Sequence, residues 1–134
     1  MMYVIDTNTL IYFFKGIGGV PKKFLEVSPK NIAIPSVVLY ELEYGIAKST
    51  SPRKRQAQLK ELCSLVEILP FEEEAAYFAA LIRANLEKKG TPIGACDVLI
   101  AGTALAKKGI LVTNNTKEFS RVSKLKIENW YKQI

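Results

Sequence analysis

Tyr3-Val4-Ile5-Asp6-Thr7-Asn8 is a short β-prone run that stops on an acid. Residues 3–5 suit a buried first strand, and Leu10 to Phe14 then continue as an apolar helix. The same alternation carries on down the chain. After the glycines at 16, 18 and 19, Pro21 opens a second short helix over Lys22 to Val27, and Ile32 to Ile34 form the next strand. Pro35 and Ser36 announce a helix, with Ser36 as N-cap, running from Val37 to about Ala47. Arg53 to Leu65 read as a helix and Val66 to Leu69 as a strand. A long helix follows, from the Glu72–Glu74 acids to Lys88, and Pro92 to Lys107 form another. Ile110 to Thr113 form a strand, Thr116 to Phe119 a helical turn, and Ile127 to Trp130 the last strand. Strands separated by helices predict an α/β fold, a three-layer α/β/α sandwich around a mostly parallel sheet. The length fits one domain over residues 1–134.

Composition narrows the chemistry. The chain has no histidine, which removes the commonest general base, the usual zinc ligand and every Ser/His or Cys/His nucleophile pair. Nineteen Lys and Arg against thirteen Asp and Glu leave a net charge of +6, which suits a polyanionic partner such as nucleic acid. Cys63 and Cys96 form no C-x-x-C pair, and no signal segment opens the chain, so a cytoplasmic protein with reduced thiols is expected. No apolar stretch approaches the roughly 20 residues that span a bilayer, so no membrane association is expected.

Four carboxylates interrupt apolar surroundings: Asp6, Glu41, Asp97 and Glu118. In parallel sheets ligands bind beyond the carboxyl ends of strands, where Asp6 and the Thr113-Asn114-Asn115 run both fall. Asp6 also suits an N-cap of the helix after it. On a wheel of roughly 100° per residue with Val38 as origin, Glu41 lies near −60°, bordering the stripe of Leu42, Gly45 and Ile46, while Glu43 at about +140° faces water. A rim position with a packed stem is the structural alternative for Glu41. Asp97 has Ile93, Gly94, Ile100 and Ala101 as helical neighbours, so an unpaired charge there would cost several kcal/mol. Capping a helix that starts at Asp97 is the competing role. Asn115 and Glu118 have the spacing of a capping box, and Cys96 reads as a small core residue. Four acids so placed point to a shared cation.

The chain resembles the PIN-domain ribonucleases, and within them the stand-alone toxins of VapBC-type toxin–antitoxin pairs. The resemblance rests on Val4-Ile5-Asp6-Thr7-Asn8 with Leu10, on Ser36 through Gly45, on Pro92 through Ala101, on Leu111 through Phe119, and on Glu128-Asn129-Trp130. It implies a PIN-like fold and an endoribonuclease in which Asp6, Glu41 and Asp97 hold Mg²⁺ or Mn²⁺, with Glu118 as the fourth acid. Thr7, Asn8, Ser36, Thr113 and Asn115 resemble its supporting polar residues. A hard cation relieves the mutual repulsion of such acids through oxygen ligands and can acidify water for attack on a phosphodiester. The substrate implied is tRNA or another translation-related RNA. The partners implied are a VapB-type antitoxin, whose C-terminal segment lies over the acids, and a second copy in a homodimer. Two departures stand out: Thr103 occupies a position where many members carry histidine, and Asn115 one where many carry aspartate.

The basic residues Lys48, Arg53, Lys54, Arg55 and Lys60 flank a break between two helices and suit phosphate contacts, although a charge run is also an ordinary solvated face. Tyr40 and Tyr44, four apart on one helix face, suit a protein interface. Two other functions fit parts of the pattern. An aspartate-based phosphatase would use Asp6 as nucleophile, but Asn8 stands where a second aspartate is needed, and a non-catalytic module would use the acids to receive a basic peptide.

Overall fold

Val4 and Ile5 are successive strand residues, so their side chains leave opposite faces of the sheet, and both are fully buried. Leu111 and Val112 repeat this, which requires a layer of helices on each face. Burying each such side chain contributes about 1.5–3 kcal/mol. The computed structural model describes residues 1–133. It alternates β1 (Tyr3–Ile5), α1 (Thr7–Lys15), α2 (Val20–Leu25), β2 (Ile32–Pro35), α3 (Ser36–Ala47), α4 (Arg53–Cys63), β3 (Glu67–Leu69), α5 (Glu73–Lys88), α6 (Ala95–Ala106), β4 (Ile110–Val112), α7 (Thr116–Phe119) and β5 (Lys126–Glu128). The five strands form one parallel sheet in the order β3-β2-β1-β4-β5. The predicted three-layer α/β architecture is the observed one.

That strand order has a consequence for function. From β1 the chain winds outward to β2 and β3, then returns to place β4 on the other side of β1. The winding direction reverses between β1 and β4, where the crevice beyond the carboxyl ends of a parallel sheet opens. Asp6 directly follows β1, and Thr113 directly follows β4. The register Tyr3↔Ile110, Val4↔Leu111, Ile5↔Val112 therefore brings residues more than a hundred positions apart to one edge.

Several boundaries differ from the sequence reading, each for a local reason. Ser36 is the first residue of α3 and not its N-cap; Pro35 takes the cap position in extended backbone, φ −60° and ψ 142°, because it also ends β2. α6 starts at Ala95 and not at Pro92, since Gly94 takes the cap position in extended backbone, φ −57° and ψ 152°. β5 ends at Glu128; Trp130 is 1% exposed through packing outside the strand, with Tyr3 and Phe24 against its ring. Among the described residues no helix is long and apolar enough to cross a membrane.

Candidate active site

Asp6 leaves β1 as the sheet ends and serves at once as the N-cap of α1, with Oδ1 accepting from the Thr9 N–H at 2.9 Å. The capping role and the strand-end role are thus combined in one residue. It is 5% exposed. Burial pushes its pKa above the usual carboxylate value, and the Glu41 charge adds to this, while hydrogen bonding from Thr113 and Thr9 works in the opposite direction. Thr9 is anchored in turn by a 3.3 Å hydrogen bond from its hydroxyl to Val112 O, so α1 and β4 are tied together beneath the acid. Sequence reasoning misses Thr9, although its position three residues after an N-cap aspartate is the signal.

Glu41 projects from α3 beside the buried stripe of Val38, Leu42 and Ile46, as the helical wheel predicts, and Glu43 is exposed. Its Oε1 accepts from Thr7 Oγ1 at 2.6 Å. Thr7 stands next to Asp6 in the chain, so the first strand-end loop carries one acid and orients another. Removing this hydroxyl frees the carboxylate to rotate. Should Glu41 hold a divalent cation, Thr7→Val is expected to lower its affinity about 10–100-fold, the usual cost of losing a hydrogen bond to a ligand; titration calorimetry with Mn²⁺ measures it, and unchanged affinity would remove Thr7 from the site.

Asp97 lies in the first turn of α6 and is half-buried, so it does not cap a helix that starts at its own position. The positive end of the helix favours its charge, but the net effect of its surroundings is the reverse. Burial foremost, then the charges of Glu41, Glu118 and Asp6, raise its pKa from 3.8 to about 6. The other three acids therefore all reach Asp97 electrostatically. Gly94 leaves room for the carboxylate, since a Cβ at that position would lie 3.2 Å from Asp97 Oδ2. The neighbouring Cys96 thiol is also pushed up, by burial and then by Glu41 and Asp97, so it stays protonated and makes a poor metal ligand.

Glu118 sits in the first turn of α7, and its Oε2 accepts from Asn115 Nδ2 at 3.1 Å. Asn115 occupies the N-cap position without a side-chain capping bond, so the expected capping box is replaced by a side-chain pair. The Asn115 N–H donates to Thr113 Oγ1 at 2.9 Å. Thr113 is fully buried and links the Asp6 and Glu118 halves of the site. Asn8 is exposed and Ser36 half-buried, and neither makes a side-chain hydrogen bond among the described residues. Thr103 is buried with its hydroxyl donating to Leu99 O at 2.8 Å, a bond internal to α6 and remote in role from the acids.

The donor set is all oxygen, which suits a hard divalent ion such as Mg²⁺ or Mn²⁺ and not a soft one. Among the described residues no three acids or cysteines are gathered as a ready metal-holding group. The acids are nevertheless near enough to raise the proton affinity of Asp97. This has a measurable signature in the cation-free protein. Between 3.8 and about 6 the folded chain binds the Asp97 proton more tightly than the unfolded chain does, so stability falls as pH rises through that window and stays low above it. Asp6 contributes with the same sign. After allowance for solvent screening of a half-exposed group, about 1–2 kcal/mol is at stake. The thermal midpoint is expected to rise by roughly 3–6 °C on acidification from about pH 7.5 to about pH 5. Asp97→Asn should flatten that slope; circular-dichroism melts across the range decide it.

Of the basic residues, Lys54 and Arg55 line a groove that Glu41 also lines, together with Lys15 of α1. Arg53 is exposed and is not among the lining residues. Tyr40 and Tyr44 are 64% and 59% exposed, leaving that face of α3 open to a partner.

A PIN-domain family model matches residues 3–125. Ribonuclease VapC2 of Rickettsia felis is 42% identical over 98% of this chain and all of its own length. The tRNA(fMet)-specific endonuclease VapC of Salmonella typhimurium is 35% identical over 97% of this chain and 98% of its own. Among solved structures, the R. felis VapBC2 complex bound to a promoter DNA fragment contains a chain that superposes with a TM-score of 0.90 at 39% identity, covering 97% of this chain and 99% of that one. The DNA-bound S. typhimurium VapBC complex also gives a TM-score of 0.90, at 36% identity and with 97% and 98% coverage. A parallel sheet in the order 3-2-1-4-5, acids at its reversal point and this similarity along nearly the whole length agree: the chain belongs to the PIN-domain family, among its VapC ribonucleases.

Proposed function

We propose that this chain is a divalent-cation-dependent endoribonuclease, the toxin of a toxin–antitoxin pair, acting in the cytoplasm on tRNA or another translation-related RNA. The observation that carries the reading is the convergence of Asp6, Glu41, Asp97 and Glu118 at the β1/β4 edge, where the first, second and fourth raise the cost of charging Asp97. The naming of the S. typhimurium relative supports tRNA as the substrate class, and the R. felis and S. typhimurium complexes support a VapB-type antitoxin as partner. The exposed Tyr40 and Tyr44 offer a surface for that partner or for a second copy.

In this reading Asp6, Asp97, Glu41 and Glu118 hold Mg²⁺ or Mn²⁺, which would supply charge neutralisation and Lewis acidity at the phosphodiester. The protein's own part is positioning. Thr9 and Thr113 fix Asp6, Thr7 fixes Glu41 and Asn115 fixes Glu118, all from the segments that follow β1 and β4. Histidine is unnecessary, because no step requires a side chain that titrates near neutrality. Purified protein incubated with total tRNA is expected to yield discrete fragments with Mg²⁺ or Mn²⁺ and none with excess chelator. Cleavage that persists in chelator would refute the cation requirement, and absence of cleavage on every RNA offered would refute the nuclease.

A further inference from the structure

A cleft of about 360 Å³ lies between α1, α3 and α4, with Glu41 among its lining residues and Lys15, Lys54 and Arg55 contributing its cations. Such a volume accommodates a group of small-molecule size. None of the three cations has a carboxylate partner; the ion pairs among the described residues are Lys23–Glu26 and Arg83–Glu87. Lys54 and Arg55 also stand where helix physics favours acids. α4 begins at Arg53 with no side-chain cap and no acid in its first turn, so unpaired N–H groups and three cations share its positive end. An anion is the missing complement. Arg55 is already oriented: its guanidinium lies over the Phe14 ring at 5.0 Å and donates to Gln58 Oε1 at 2.9 Å, and Gln58 Nε2 donates to Phe14 O at 3.3 Å. Gly45, placed within the α3 stripe by the helical wheel, is exposed, and a Cβ there would meet nothing within 4 Å, so its missing side chain leaves open space in the cleft.

We propose that this groove carries the sugar–phosphate backbone of the RNA strand next to the scissile bond, with Lys15, Lys54 and Arg55 on its phosphates and Gly45 providing the space. The proposal rests on the nuclease reading and specifies how that site holds its substrate. Phosphate contacts carry no base preference, so the groove contributes affinity and register while sequence choice lies elsewhere.

The test uses full-length protein with Asp97→Asn to block turnover, a fluorescent single-stranded RNA oligonucleotide, and a salt series. Adding Lys15→Gln and Lys54→Glu is expected to make the slope of log affinity against log salt shallower by about 1.4, roughly 0.7 for each phosphate no longer neutralised. Lys54→Glu places an acid at a helix start, so its thermal midpoint should hold or rise while RNA affinity falls. A fall in the midpoint instead would make Lys54 a structural residue. Gly45→Met changes no charge and fits the helix, and is expected to weaken RNA binding at least about tenfold by filling the cleft. In the cleaving protein the same changes should raise KM with kcat nearly unchanged, the pattern of weakened ground-state binding. Unaltered slope and affinity in these variants, with normal cleavage by the unmodified protein, would overturn the groove and leave the nuclease standing. An unmodified protein that neither binds nor cuts RNA would overturn both. Variants that keep RNA binding but no longer hold a co-expressed antitoxin would assign the groove to the protein partner and overturn the proposal.

Discussion

Asp97→Asn is expected to reduce RNA cleavage at least about 10³-fold, the scale of losing a group that stabilises charge in the transition state. Asparagine keeps the size and planarity of the side chain, so it fits the space that the missing side chain of Gly94 leaves. What disappears is the negative charge, which is the property that Glu41, Glu118 and Asp6 all oppose. The variant should therefore melt above the parent chain at neutral pH without added cation, and gain less from Mn²⁺. Loss of activity together with a gain in stability separates a functional carboxylate from a structural one. An Asp97→Asn protein that cleaves at the parent rate would sink the assignment of this acid, and one that fails to fold would make its role structural. Single-turnover kinetics with a chelated control, run beside the melts, gives both readings.

Gly102→Val is expected to cost about 2–4 kcal/mol of folding stability, or roughly 10 °C in thermal midpoint. Gly102 faces α5 at the place where α5 and α6 cross, and a Cβ would lie 2.8 Å from Ala75 O, from Ala79 N and from Ala79 Cβ. Two of those three atoms belong to backbone, so no rotamer change relieves the clash and the helices must separate. Ala75 and Ala79 are themselves 4% and 3% exposed, which shows how closely small residues let the two helices approach. Separation would also displace the start of α6, and with it Asp97, so cleavage should fall together with stability. Denaturant titration of Gly102→Ala and Gly102→Val tests this. A valine variant within about 0.5 kcal/mol of the parent, a margin typical of surface changes, would mean that the helix pair is looser than described.

Which features are legible from sequence follows from their range. Val4-Ile5, Ile32-Ala33-Ile34 and Ile110-Leu111-Val112 announce buried parallel strands because both faces are apolar, a property visible in a few consecutive letters. Glu41 and Glu43 can be told apart by helical period alone, and their burial agrees. Ser36 reads as a cap because two neighbouring residues compete for that role, and the extended Pro35 completing β2 decides between them. Trp130 reads as strand because its burial, which comes from Tyr3 and Phe24, resembles strand burial in a one-dimensional pattern. The links Thr7 to Glu41 and Thr113 to Asp6 are out of reach, since each spans a long stretch of chain. Lys15 and Gly45 likewise acquire meaning only when α1, α3 and α4 enclose a common space.

The pairing of β1 with β4 bears on the birth of the protein as well as on its finished shape. Tyr3 meets Ile110, so β1 waits for a strand made more than a hundred residues later before the sheet can close. Contacts of such long range form late, because the intervening chain must be ordered first. During synthesis Asp6 and Glu41 emerge well ahead of Asp97 and Glu118, and the chain up to Gly94 contains no more than half of the acidic edge. Topology alone therefore delays the assembly of the acidic edge until the segments carrying Asp97 and Glu118 have been made and β4 has joined β1.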